Sequence, residues 1–579
     1  MNLLNNPSPS QSPASIWRKA MDFLNARNKK PPFFTFFLSF IVIVITSLPY
    51  LYGFLVTPPN SVFIGNGLFN PHDNHVYYSY IEQVKAGRYF LKDVFTAEQQ
   101  TPFLNIFWLA LGLMAKIFAL SPISTFHLAR ILLIPLLFYA LFKFADWYFA
   151  SDLQKERKIK LALILFSVNT GFGGFLAIFY NRNLLPLEAW WPEAFVSLSS
   201  YASPHFIASW ILLIASIFFL FRSINNDGVK NANWNVIAAG LSGLILTQFH
   251  TFYLALLIPL SIAIFFYFAS EKSKNLKDIF LKITIYNLFF LPIIIYYFFL
   301  LKDTVMKERL FNAAMLTTNN LFIVFFAFGF VSILAFSNII WLFFKKEQTI
   351  KQTMIIIWTI IAPLLLFAPI PFQKRLIEGW QFPLILLAVG PIIRIADIIK
   401  QKTSLGNSYN RTLFFLFFIT PALTIFFSAF AVYHSDDVFI RQVYLPKNLH
   451  HALTWLKTKG NYDEVVLGHL LTSISAAFLA DKTIYAGHKF ETINIKQKLA
   501  LLEKFFATET TKMETTKKEQ LNKTAFIMDF LTQNRIKYIV WGPYEKNINF
   551  QPQTKNYFKE IYNQDGVVIY ENQHYYSCL

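Results

Sequence analysis

Apolar runs of about 20 residues, the length that crosses a bilayer's hydrocarbon core as one helix, recur along this chain. They stand at 33–56, 126–150, 161–180, 206–222, 279–301, 321–344, 353–371, 382–399 and 411–433. Of 579 residues, 55% are hydrophobic and only 15% charged, too little polar surface for a soluble protein of this length. The chain therefore reads as an α-helical polytopic membrane protein. Its net charge of +19 belongs to loops that report orientation and touch anionic lipid. The expected partner is the lipid bilayer and not nucleic acid. The single cysteine, Cys578, excludes an intramolecular disulfide framework and a Cys-based zinc site. Residues 1–32 are polar and show no short apolar core before a small-residue cleavage site. The first apolar run is thus expected to stay as a span, with 1–32 as a cytoplasmic segment.

Two stretches are ambiguous. Segment 103–120 is about long enough to cross, and 235–269 is too long for one span and tight for two. Basic residues favour the cytoplasmic side, and this rule arbitrates. Arg18, Lys19, Arg27, Lys29 and Lys30 put the N-terminus in the cytoplasm. Suppose 103–120 is a juxtamembrane or re-entrant helix and 235–269 a hairpin tipped near His250. The cytoplasmic segments then hold more than twice the Lys and Arg of the external loops. If 103–120 crosses, Lys155, Arg157, Lys158 and Lys160 flip outside. The reading is about eleven spans in the plasma membrane, N-terminus cytoplasmic and C-terminus extracytoplasmic. It gives a transmembrane domain at 33–433, with a first external loop at 57–125, and an extracytoplasmic domain at 434–579. In that tail the apolar runs shorten. EVVLG, ISAAFLA, TIYAG, KYIVWG and GVVIYE alternate as strands and helices, with a helical stretch near 493–506 and a solvated Lys/Thr/Glu-rich excursion at 507–523. This is a small α/β domain.

The chemically suggestive residues all fall on the outer side of this topology. Asp73 follows Pro71 at the start of a helical pattern through Tyr77, Ile81 and Val84. Such an Asp caps a helix. At interfacial depth a carboxylate is also tolerated as a general base. His72, Asp73 and His75 offer metal-ligand types within four residues but lack a nearby fourth, so a divalent metal is a secondary possibility. EAWWPEAFVSLSSYASPHF carries Glu188, Glu193 and His205; its Trp pair anchors in the interface or walls a sugar site. His250 sits at the hairpin tip. Lys374 and Arg375 stand outside against the charge rule, where an Arg fork suits a phosphate unless it snorkels or pairs with Glu378. Lys307 and Arg309 add positive charge in the preceding external loop, and His488 ends a strand of the tail as a contact point with the membrane core. His72, His75, Tyr77, Glu193, His205, His250, Lys307, Arg309 and His488 are candidates for substrate contact.

Four motifs carry a resemblance. They are D-x3-Y-x3-I-x5-G at Asp73, Tyr77, Ile81 and Gly87, SPHF at 203–206, QKRLIEGWQFPL at 373–384, and YAGH with ET at 485–492. With the large first external loop and the exported tail, the chain resembles the GT-C class of integral-membrane glycosyltransferases, which take sugars from polyprenyl-phosphate or -diphosphate carriers. The last three motifs resemble a bacterial family of such membrane proteins. The resemblance implies a GT-C-like fold with juxtamembrane helices. It also implies inverting transfer of a sugar from a polyprenyl-phosphate carrier to an extracytoplasmic glycan, lipid or protein acceptor, with Asp73 as base and Arg375, with Lys374, on the donor phosphate. The chain departs from the class at Asn74, where many members carry a second acid. Two other classes fit the sequence: a transporter or flippase of a lipid-linked or polar substrate, and a non-catalytic scaffold with an exported binding domain.

Overall fold

The computed structural model describes residues 33–67, 71–171, 191–225, 232–273, 275–313, 321–346, 348–370, 372–402, 442–510, 517–546 and 558–575. Among these, eight helices are long and apolar enough to cross a membrane: Phe33–Leu55, Pro122–Tyr148, Pro204–Ile224, Thr251–Ser270, Leu276–Leu300, Ala327–Lys345, Ile350–Phe367 and Gln381–Ile399. The protein is a multi-pass membrane protein. The expected span 411–433, the second half of 161–180 and the N-terminal segment 1–32 lie outside the described residues; the helix covering the first half of 161–180 is Lys155–Val168.

Both ambiguous stretches form helices shorter than the apolar runs that suggested them. Helix Ile106–Ile117 has 12 residues, and at 1.5 Å per residue it covers about 18 Å, short of a hydrocarbon core of about 30 Å. Asn105 starts it by accepting from the Trp108 amide at 3.2 Å. Gln248 then pins that start to the membrane core, accepting from the Ile106 amide at 2.8 Å and donating to the Leu104 carbonyl at 2.7 Å. The apolar run 235–269 breaks at His250, which has φ −132° and ψ 77° between helices Ala232–Phe249 and Leu254–Ser270.

The tail is a five-stranded sheet with helices on it. Its strands are β3 (Val465–Leu467), β4 (Thr483–Ile484), β5 (Ile536–Trp541), β6 (Phe558–Gln564) and β7 (Val567–Asn572), in the order β4-β3-β5-β7-β6. The β4-β3-β5 half is parallel and the β5-β7-β6 half antiparallel. Helix Leu470–Leu479 makes the crossover from β3 to β4. Of the expected loop or exposed helix at 507–523, the described parts are helical, the end of Ile495–Thr510 and the start of Lys517–Gln533.

The tail shares a core with the first external loop. Val76, Tyr78, Ile81, Val84, Val94 and Trp108 from the loop pack in one buried cluster with Leu449, Leu453, Phe478, Ile484 and Val540 from the tail. Burying each such side chain contributes about 1.5–3 kcal/mol. A two-stranded antiparallel ladder joins β1 (Ser61–Phe63) to β2 (Tyr444–Pro446). The edge strand β4 gains a further partner in the loop, since the Ile484 amide donates to the Val94 carbonyl at 2.8 Å. Lys457 with Glu82 at 2.6 Å and Lys498 with Glu98 at 2.8 Å add ion pairs across the same seam.

Candidate active site

The site begins with helix Pro71–Lys85. Proline opens it, where a missing N–H costs nothing, and Asp73 lies in its first turn on the positive end of the helix dipole. Gly87, at φ 94°, closes it; the Arg88 amide reaches back to the Gln83 carbonyl at 2.9 Å. Asp73 is not tied down as a cap. Its Oδ1 accepts from His488 Nε2 at 3.1 Å, and its side chain stays 33% exposed while that of His488 is 2% exposed. A narrow cleft opens beside it, lined by Asp73, Asn74, Tyr77, Pro192, Ala202, Ser203 and Phe206. The cleft lies where the first external loop meets the start of helix Pro204–Ile224.

Aromatic rings wall the approach. Tyr77 stacks on Trp108 with centroids 4.8 Å apart and meets the His205 ring edge-on at 4.5 Å. His205 Nδ1 bonds Ser203 Oγ at 2.5 Å, so the serine that precedes the helix holds a ring instead of a backbone amide. The His205 and His250 rings lie 5.0 Å apart. Ser209 Oγ lies 2.8 Å from the His205 carbonyl oxygen and 2.6 Å from His250 Nδ1.

Arg375 pairs with Glu378, as the sequence allowed, and also with Glu193. Its Nη1 lies 3.4 Å from Glu193 Oε1 and 3.6 Å from Glu378 Oε1, both carboxylates being almost fully buried. Tyr253 donates to Glu378 Oε2 at 2.9 Å. Burial pushes both glutamates up from the ordinary carboxylate range, against the pull of Arg375. Both ion pairs run through Nη1, and the Arg375 side chain remains 31% exposed, which leaves guanidinium N–H groups for an anion. Tyr77 lies within electrostatic reach of Asp73, Arg375 and Glu193 together. Lys374 is in the short 3-10 turn Gln373–Ile377, but its side chain lies outside the described residues.

Arg309 belongs to a neighbouring cluster. Its guanidinium contacts Glu491 of the tail, sits 3.5 Å from buried Asp93 and donates to Tyr80 OH at 2.9 Å. It bolts three segments together and is not open to a phosphate. Lys307, on the same helix, points to the exposed surface.

The three possible metal ligands of the first loop are held apart by different partners. His72 Nε2 meets Gln442 Nε2 at 3.1 Å, and Asp73 meets His488. His75 is fully buried, with Nδ1 2.9 Å from the Pro71 carbonyl and its ring against Phe478. Burial lowers His72 to about 4 and His75 to about 3. Among the described residues no three His, Cys, Asp or Glu side chains are grouped to hold a metal ion, so the first-loop trio does not fit one.

The structure thus brings Asp73, Tyr77, Glu193, His205, His250, Arg375 and His488 around one junction. Sequence reasoning missed Tyr253 and Trp108. Tyr253 is three residues past His250, on the face that a broken helix turns inward; Trp108 read as part of an apolar segment.

No protein-family model matches the chain, and no curated protein sequence matches it significantly. Solved structures do. An oligosaccharyltransferase from Archaeoglobus fulgidus, in complex with zinc and sulfate, matches with a TM-score of 0.54 at 12% identity, over 93% of this chain and 73% of that one. Its apo form matches with a TM-score of 0.51 at 13% identity, over 93% and 74%. ArnT from Cupriavidus metallidurans bound to undecaprenyl phosphate aligns over 92% of this chain and 97% of that one, at 11% identity and a TM-score of 0.49. The protein therefore has a GT-C-like fold: a helical membrane domain with a juxtamembrane first loop and a small C-terminal α/β region.

Proposed function

We propose that the protein is an inverting glycosyltransferase that moves a sugar from a polyprenyl-phosphate carrier to an acceptor outside the cytoplasm. The observation that carries this reading is the pairing, at one junction, of an accessible carboxylate with a guanidinium that has N–H groups to spare. The donor lipid reaches the site sideways from the bilayer. Arg375, with Lys374 beside it in sequence, binds the phosphate. The acceptor hydroxyl attacks the anomeric carbon from the face opposite the phosphate, and its proton passes to Asp73. The carbon–oxygen bond to the phosphate breaks, and the phosphate leaves with the electron pair. Charge grows on that leaving group in the transition state, where Arg375 stabilises it. Because the phosphate needs no acid to leave, one carboxylate suffices, consistent with Asn74 at the next position. Tyr77, Trp108, His205 and His250 supply ring faces and acceptors for a sugar. No step runs through a metal.

A carrier would be expected to pair opposite charges within its spans. The buried Arg130 in helix Pro122–Tyr148 is held instead by oxygens of Thr46, Ser47 and Ser200, and no described carboxylate faces it. Lys282 and Asp278 do pair within helix Leu276–Leu300, near its start, so a transport assay in liposomes separates the two readings.

The test uses purified protein in lipid with a panel of labelled polyprenyl-phosphate sugars and a cell-envelope extract as acceptor. Label is expected to leave the lipid fraction, and Asp73→Asn to slow that by about 100- to 10,000-fold while keeping the same thermal unfolding. Full activity in Asp73→Asn removes Asp73 as base; no turnover with any donor removes the reading.

A further inference from the structure

The tail's His488 is locked more tightly than a surface contact requires. Its Nδ1 accepts from two amides of its own turn, Phe490 at 3.2 Å and Glu491 at 3.1 Å. Thr492 closes that turn: its hydroxyl accepts from the His488 amide at 3.1 Å and donates to the Phe95 carbonyl of the first external loop at 2.8 Å. The ring lies edge-on to Phe95 and to His72, with centroids 5.8 Å and 6.0 Å away. Two N–H groups aimed at Nδ1 leave a lone pair there and no room for a proton, so the ring hydrogen must sit on Nε2. Asp73 pulls the other way, raising the imidazole's proton affinity above the usual histidine range despite its burial. The amides decide, because an imidazolium would set three hydrogens against one another.

Resting on the function proposed above, we infer that His488 is a positioning residue. As the Nε2–H tautomer it donates to Asp73 Oδ1, fixes the carboxylate plane, and leaves Oδ2 as the basic oxygen facing the acceptor. Among the described residues Oδ2 has no partner, and Asp73 lines the cleft. His488 cannot take the acceptor's proton onward, since Nε2 already carries one. The proton therefore stays on Asp73 until product leaves. The C-terminal region completes the catalytic centre in this arrangement: an oriented base requires the tail to be docked on the first loop.

Three variants of the full-length protein test this. His488→Ala is expected to lower kcat by roughly 10- to 100-fold with the donor KM unchanged, the usual size of effect for a partner that orients a reacting group. His488→Gln, whose amide reaches where Nε2 stood, is expected to recover most of that loss. Equal activity of His488→Ala and wild type overturns the inference, as does equal loss in the Ala and Gln variants with unchanged thermal unfolding. A readout independent of turnover is the 15N spectrum of histidine-labelled protein at pH 7: His488 is expected as the Nε2–H tautomer, and an Nδ1–H tautomer or imidazolium overturns the inference. Asp73→Asn separates the two claims. If that variant is active, the parent reading fails whatever His488 does; if it is dead while His488→Ala is fully active, only the positioning role fails.

Discussion

Arg375 shows how a residue's partners define its task. The sequence offered it either as an anion fork or as a partner of Glu378, and two buried carboxylates, Glu193 and Glu378, take Nη1. Removing the guanidinium leaves both glutamates without their cation, and uncompensated buried charge is among the costliest changes a folded chain can suffer. Arg375→Ala is therefore expected to lose stability as well as donor affinity, by about 3 kcal/mol at pH 8. The loss depends on pH in a fixed sense. Burial already raises both glutamates, and without Arg375 they rise further. A carboxyl with a raised folded-state pKa stabilises fully below its unfolded value and loses that contribution as pH climbs through the folded value. Thermal unfolding in detergent should thus separate Arg375→Ala from wild type least at pH 4–5, with the gap widening toward pH 8. A gap independent of pH contradicts the buried carboxylate clamp. Asp73, Arg375 and His205 were legible as single residues because each breaks a local rule of charge or polarity beside an apolar run. The pairing of Asp73 with His488 was not: His488 was legible as a contact of the tail, but it follows Asp73 by more than 400 residues, and no periodicity links positions that far apart.

At the scale of elements, Asp73 is placed by one crossing of two short helices. Helix Pro71–Lys85 rests on helix Ile106–Ile117 at Gly112, where a Cβ would stand 2.3 Å from Val84 Cβ and 3.1 Å from the Ile81 carbonyl. Gly112→Ala is expected to push the helices apart, lowering stability by about 1–3 kcal/mol through overpacking and moving Asp73 off His488. Adding Val84→Ala should restore part of that stability; a double variant no better than the single one contradicts the close contact. Element types were largely readable. The break at His250 and the non-crossing helix followed from length and charge, and β3, β4, β5 and β7 from short apolar runs bounded by turn residues. β1, β2 and β6 were not: β1 and β2 are short strands that pair only with each other across the chain, and FKEIYNQ alternates too weakly to stand out.

At the scale of the whole molecule, the account rests on position. Asp73, Glu193, His205, His250 and Arg375 come from four separate stretches of the chain and meet at one junction. The docked tail then closes the junction through His488, Glu491 and Lys498. None of that docking was visible in composition, which marked the tail only as more polar. The central claim is that this junction faces away from the cytoplasm, where the basic turn at 151–160 lies on the opposite side. Two single-cysteine proteins in a Cys578→Ser background test it with a membrane-impermeant maleimide on intact cells: Leu153→Cys, at a fully exposed position of that turn, and Lys307→Cys, on the helix that carries Arg309. The account expects Lys307→Cys to label at once and Leu153→Cys only after the membrane is permeabilised. Labelling of Leu153→Cys from outside, with Lys307→Cys protected, would contradict it.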